Sequence, residues 1–146
     1  MKKLMIILLI ASLPANSQYL SETLKLDCSV TYEKLPRHKN NIVKEMYIKS
    51  NTSGYVEVRK SNPNFNPHTV AKLDVNGANV YGVFVDVGCE VDDDKISCKT
   101  NDRYNAKMIL NRNTGSIDFS SKSYGKGNTS IEEKVTGVCR KATKKF

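Results

Sequence analysis

Leu24-Lys25-Leu26-Asp27-Cys28-Ser29-Val30-Thr31-Tyr32-Glu33 alternates apolar and polar residues without a break. Leu24, Leu26, Cys28, Val30 and Tyr32 share one face, and polar side chains take the other. A period of two is that of a half-buried β-strand.

The same reading extends along the chain. Leu35-Pro36-Arg37-His38-Lys39-Asn40-Asn41 is expected as a loop, and Ile42 to Ser50 resumes the alternation less cleanly. Asn51-Thr52-Ser53-Gly54 reads as a turn before a short strand over Tyr55 to Lys60. Ser61 to His68 holds two prolines, which cannot donate to a ladder, and is expected to be irregular. Val70 to Val75 leads into Asn76-Gly77, a strong hairpin signal. Val80 to Val91 is the longest strand candidate, with Tyr81, Val83, Val85, Val87, Cys89 and Val91 on one face. Asp92-Asp93-Asp94 turns the chain into Lys95 to Thr100. Tyr104 to Arg112 and Ile117 to Lys122 flank Asn113-Thr114-Gly115, where Gly115 suits a left-handed position. A three-residue loop there sets Ile109 opposite Phe119, and a two-residue loop sets Leu110 opposite Ile117. Tyr124 to Asn128 is a loop, and Ile131 to Arg140 is the last strand. No sustained helical period appears. Eight or nine short strands at turn spacings near ten residues imply an all-β, disulfide-bonded antiparallel sandwich or barrel.

Ahead of this domain lies a different kind of segment. Lys2-Lys3 precedes an apolar run from Leu4 to Leu13, and Ala15 and Ser17 stand at the −3 and −1 positions of a cleavage site after Ser17. This three-part pattern is that of a secretory signal peptide over residues 1–17. The run is about half the ~20 apolar residues a spanning helix needs, so no transmembrane segment is expected after cleavage. The mature domain, 18–146, is expected in the periplasm or outside the cell. Removing 17 residues and two lysines from a 146-residue chain of charge +8 leaves 129 residues at +6. That length suits one domain.

Export makes the four cysteines readable as disulfides. In the hairpin Cys89 to Cys98, a two-residue loop at Asp93-Asp94 sets Val91 against Ile96 and Cys89 against Cys98. Counting outward from Asp92 and Lys95, the cysteines fall on a non-hydrogen-bonded pair, with Cα atoms ~4.5 Å apart, a span a disulfide accepts. Cys28 is then left to pair with Cys139, joining the first and last strands. The other two pairings and free thiols are the alternatives.

Catalytic sets are sparse, and no catalytic residue, metal ligand or cofactor is assigned. His38 and His68 have no second ligand at metal-binding spacing. Paired cysteines leave no thiol nucleophile, and no G-x-S-x-G elbow exists. Asp92-Asp93-Asp94 lacks the frame of a calcium loop. Gly125-Lys126-Gly127 lacks that of a phosphate loop. A ribonuclease would use His38 and His68 as base and acid with a lysine on the phosphate, but nothing in the sequence brings the two loops together.

The excess of positive charge, with Arg140, Lys141, Lys144 and Lys145 in the tail and Lys34, Arg37 and Lys39 around His38, could attract nucleic acid or an anionic envelope surface. Nucleic-acid readers interleave aromatics with cations, whereas these tyrosines mostly lie within strand patterns. Counting back by twos from Phe146 meets Lys144, Ala142 and Arg140, so the chain end lacks the apolar outward face of a membrane strand.

Leu110-Asn111-Arg112-Asn113-Thr114-Gly115, followed about 22 residues later by Gly137-Val138-Cys139 and a basic tail ending in Phe146, resembles the C-terminal end of many small secreted proteobacterial proteins without an assigned function. These show an R-x-T-G turn and a closing G-x-C. The resemblance covers roughly the last 40 residues. It implies an exported β-domain and transfers no catalytic residue.

The expected function is that of an exported, non-enzymatic β-domain that binds a protein or an anionic envelope component. The alternatives are an inhibitor or protective protein against an envelope-attacking enzyme, using a loop such as Ser61 to His68, and a small secreted ribonuclease.

Overall fold

The computed structural model describes residues 23–60, 69–76, 78–79, 84–100 and 105–142. They form one antiparallel sheet. Its strands are β1 (Leu24–His38), β2 (Asn41–Ile42), β3 (Ile48–Lys60), β4 (Thr69–Val75), β5 (Ala78–Asn79), β6 (Phe84–Val91), β7 (Lys95–Lys99), β8 (Lys107–Asn111), β9 (Ser116–Tyr124) and β10 (Thr129–Lys141). The one helical element among the described residues is a 3-10 turn at Lys44–Met46.

Pairing runs β10-β9-β8-β7-β6-β4-β3-β1, and β1 also pairs with β10, so eight strands close into a ring. It is ring-like rather than a regular barrel. Two features account for this. The β4–β6 seam shifts register between Thr69↔Cys89 and Ala71↔Phe84. In addition, β1 and β10 stay paired from Leu26↔Lys141 to His38↔Thr129, beyond the reach of the shorter strands.

Leu26, Cys28 and Val30 face a core completed by Val56, Val58, Leu73, Ile96, Met108, Leu110, Phe119 and Val135. Nine of the core side chains, Phe119 the largest, are fully buried. Fully burying a side chain such as Val, Leu or Phe is worth about 1.5–3 kcal/mol. That core occupies the end of the ring bearing Leu24, here called the lower end; His38 marks the upper end.

Both disulfides join residues that face each other directly. Cys89 pairs with Cys98 and Val91 with Ile96 across the Asp93-Asp94 loop. Asp92 N–H donates to the Lys95 carbonyl at 2.8 Å. Cys28 lies opposite Cys139, with Cα atoms 3.9 Å apart, so the bond clamps the first strand to the last.

Three sequence expectations give way. Asn51-Thr52-Ser53-Gly54 is the middle of β3, because β1 pairs continuously from Lys34↔Ile48 to Leu24↔Val58 and overrides local turn propensity. The Thr31 hydroxyl donates to Asn51 Oδ1 at 2.8 Å across that pair. Residues 35–38 continue β1 rather than forming a loop. The Pro36 carbonyl accepts from Val43 N–H at 2.9 Å. The edge on which Pro36 lacks a donor therefore faces away from β10, where the β3 ladder has already ended, and the proline breaks no ladder bond. The alternation expected over Ile42 to Ser50 is interrupted by the 3-10 turn.

The turn after β8 takes the Leu110↔Ile117 register. Its connection is the four residues Arg112–Gly115, closed by Gly115 N–H to the Asn111 carbonyl at 2.9 Å. The Asn76-Gly77 hairpin pairs Val75 with Ala78, with Asn76 at φ 54. Tyr81, Val83, the loop 61–68, the leader segment and residues 143–146 lie outside the described residues, as do the side chains of Val85 and Val87 in β6.

Candidate functional site

The two ends of the sheet differ in chemistry. At the lower end the Asp92–Asp94 tip is a clamp. Arg112 donates from its backbone N–H to the Asp94 carbonyl at 2.8 Å and from Nη1 to the Asp92 carbonyl at 2.6 Å. Asn113 Nδ2 donates to Asp94 Oδ1 at 3.0 Å. Asn111 Oδ1 accepts from the backbone N–H groups of Asn113 and Thr114, both at 2.9 Å. Asp92 and Asp94 thus hold the neighbouring turn in place. Among the described residues no group of three or more His, Cys, Asp or Glu is arranged to hold a metal.

The upper end is polar inside. On the core-facing side of β10, two positions above Val135, stands Glu133, only 5% exposed. Tyr32 O–H donates to its Oε1 at 2.5 Å. Its Oε2 is buried and has no hydrogen-bond partner among the described residues. Ser121, also buried, and Lys34 flank it in register on β9 and β1. The sequence carries a usable sign of this site. Period-2 counting places Glu133 on the face of Val135 and Cys139, a charge where the pattern demands an apolar residue.

On the outer face Glu132 takes two cations, Arg37 at 3.2 Å and Lys122 at 3.4 Å. Lys122 also lies 5.5 Å from the ring centre of Tyr124. Gly125-Lys126-Gly127 forms the β9–β10 hairpin turn, closed by Gly125 N–H to the Thr129 carbonyl at 3.0 Å.

Beside this face runs the segment from Lys39 to Lys49. It leaves β1 through a two-residue turn whose residues, Lys39 (φ 47) and Asn40 (φ 67), are both left-handed. Paired left-handed residues match the twist of a tight hairpin, but lysine has no side-chain means of easing that conformation. Lys39 N–H is tied to the Asn128 carbonyl at 3.0 Å. Ile42, Met46, Tyr47 and Ile48 are four of the six exposed large hydrophobic residues among those described. Tyr47 O–H donates to Glu33 Oε1 at 2.8 Å, and that bond, with desolvation and the Glu33 charge, holds the phenol above its ordinary pKa.

His38 and Thr69, the residue that follows His68 in the chain, lie at opposite ends of the sheet. His38 pairs with Asn41 and Thr129 at the upper end. His68 lies outside the described residues. Thr69, which follows it, pairs with Lys60 and Cys89, beyond the Leu24↔Val58 and Val58↔Ala71 pairs of the lower end. A hairpin over 42–60 would return the chain to its start, but β3 is one continuous strand and carries it to the opposite end.

Comparison with protein families, with curated proteins and with solved structures gave no match.

Proposed function

We propose that this chain is an exported, non-enzymatic binding domain whose contact surface is the segment from Lys39 to Lys49. The observation carrying the reading is the concentration of Ile42, Met46, Tyr47 and Ile48 on one exposed stretch. Clustered exposed apolar side chains on an otherwise well-buried domain favour an interaction surface. Two disulfides suit an oxidising compartment, which agrees with the leader-like residues 1–17 and with a periplasmic or secreted location. Among the described residues no helix is long and apolar enough to cross a membrane.

The test is site-specific photocrosslinking in the exported protein. A photoreactive residue at Met46 or Ile48 is expected to capture a partner, while one at the exposed Lys72 of β4 captures none. Equal labelling from all three positions, or none, would sink the reading. N-terminal sequencing of the same material should begin at Gln18; a mature chain retaining Leu4 to Leu13 would refute cleavage.

A further inference from the structure

Resting on that reading, we infer that the partner of the 39–49 segment is an anionic lipid surface, which this edge of the sheet enters by its apolar side chains.

Three observations carry the inference. The first is compactness. Ile42 pairs with Arg37 and Ile48 with Lys34, only three positions apart on β1, or roughly 10 Å. Met46, 59% exposed, stands between them in the chain.

The second is the arrangement of faces. Ile48 shares the core-side face of β1 with Lys34 and Tyr32, whereas Ile42 shares the outer face with Arg37. The apolar side chains therefore project from both sides of one sheet edge. A flat protein patch covers one side, but a fluid interface closes around both. Tyr47, apolar in its ring and polar at its tip, suits the boundary between the two media.

The third is charge. Lys39, Lys44 and Lys49 punctuate the same strip at five-residue intervals, with Glu45 the only acid within it; of the flanking groups, Arg37 is paired with Glu132 and Glu33 accepts from Tyr47. Basic residues beside inserted apolar ones add electrostatic attraction to anionic headgroups. Lys39 reinforces the point. It holds a left-handed conformation that glycine or asparagine adopts more readily, at the tip of the strip. Backbone strain of this kind concentrates at functional positions.

The experiment is flotation of the purified mature protein with vesicles of phosphatidylglycerol in phosphatidylcholine, beside vesicles of phosphatidylcholine alone. Binding is expected to the anionic vesicles only and to weaken as salt rises. Replacing Lys39, Lys44 and Lys49 together by Gln should lower the partition coefficient ~100-fold, at ~5-fold per lysine. A control replacing Lys25, Lys72 and Lys95 by Gln removes the same charge elsewhere and should cost less than about a tenth of that. Met46→Ser with Ile48→Ser should abolish flotation, with an unchanged unfolding midpoint showing that the fold survives. No binding to anionic vesicles, or equal losses from the two lysine triples, overturns the inference. If Met46 crosslinks to a protein while vesicles stay unbound, the lipid inference fails and the binding-domain reading stands. If both are silent, both fail.

Discussion

The backbone N–H of Cys139 donates to the carbonyl of Gly115 at 2.7 Å. This contact joins the two halves of the C-terminal pattern, the Arg112-to-Gly115 turn and the Gly137-to-Cys139 closure, at one place on the sheet. Gly115 has φ +75, and a Cβ there would lie 2.2 Å from the Cys139 carbonyl oxygen. On the far side of β10, Cys139 is clamped to Cys28. The turn, the last strand and the first strand are thus tied in a row.

Gly115→Ala should therefore cost more than the left-handed conformation alone. That conformation accounts for about 1–2 kcal/mol, and relieving the collision should bring the loss to at least ~3 kcal/mol. Gly127 is the control, since it has φ +69 but nothing within 4 Å of its added Cβ. Gly127→Ala should lose only the ~1–2 kcal/mol of conformation. Urea midpoints at constant m-value compare them, and equal losses would contradict the steric argument.

Gly137→Ala tests close approach without a left-handed backbone. Its Cβ would lie 2.1 Å from the Ser29 carbonyl oxygen and 2.7 Å from Val30 Cα. Both are backbone atoms of β1, so the strands must part. A loss above ~4 kcal/mol, or failure to accumulate folded protein, is expected. At Gly54 the nearest backbone atom would be 3.3 Å away, and Gly54→Ala should be far milder in the same thermal melt.

The two disulfides should differ in worth. Cys28–Cys139 spans a sequence separation of 111, and Cys89–Cys98 one of 9. Loop-closure entropy assigns about 4.7 kcal/mol to the first and ~2.7 kcal/mol to the second. Replacing each pair by Ala and measuring stability in denaturant should reproduce the order. The reverse order would show that native packing, rather than chain entropy, dominates.

Buried Glu133 should tolerate loss of its charge better than loss of its partner. Tyr32→Phe removes the hydroxyl that donates to Oε1 and should cost ~1–3 kcal/mol. Glu133→Gln keeps an acceptor and replaces the unpartnered ionic oxygen by a neutral amide, so stability at neutral pH should not fall by more than ~1 kcal/mol. A larger loss for Glu133→Gln than for Tyr32→Phe would reveal a cation paired with the carboxylate in solution.

Tyr47 and Tyr55 should ionise late. Hydrogen bonding to Glu33, then desolvation, raises the Tyr47 pKa above 10.0. For Tyr55 desolvation comes first, followed by the charge of Glu57. In both, the folded value lies above the unfolded one. Their contribution to stability is therefore complete below the ordinary tyrosine range and is lost as pH rises through the raised value. Tyrosinate absorbance of the parent, Tyr47→Phe and Tyr55→Phe should each time lose a late-titrating phenol; loss of an early one would refute the assignment.

The alternation from Leu24 to Glu33 is enough to place Leu26, Cys28 and Val30 on a buried face, because side chains in a strand have a period of two whatever the partner. The Cys89-to-Cys98 register is equally local, since it follows from counting outward from a tight turn. What the chain could not decide alone is where local preference is overruled. Asn51 to Gly54 reads as a turn until β1 pairs along its length, and Pro36 reads as a strand breaker until its donor-poor edge is seen to face away from β10. Ring closure through β1 and β10 and the separation of His38 from Thr69 depend on pairings across most of the chain. The exposure of Met46 and Ile48 depends on where the β1–β3 ladder ends, at Lys34↔Ile48. Residues near in sequence settle strand type and hairpin register, but which strand edges meet is decided by burial summed over the whole sheet, and only the folded chain carries that sum.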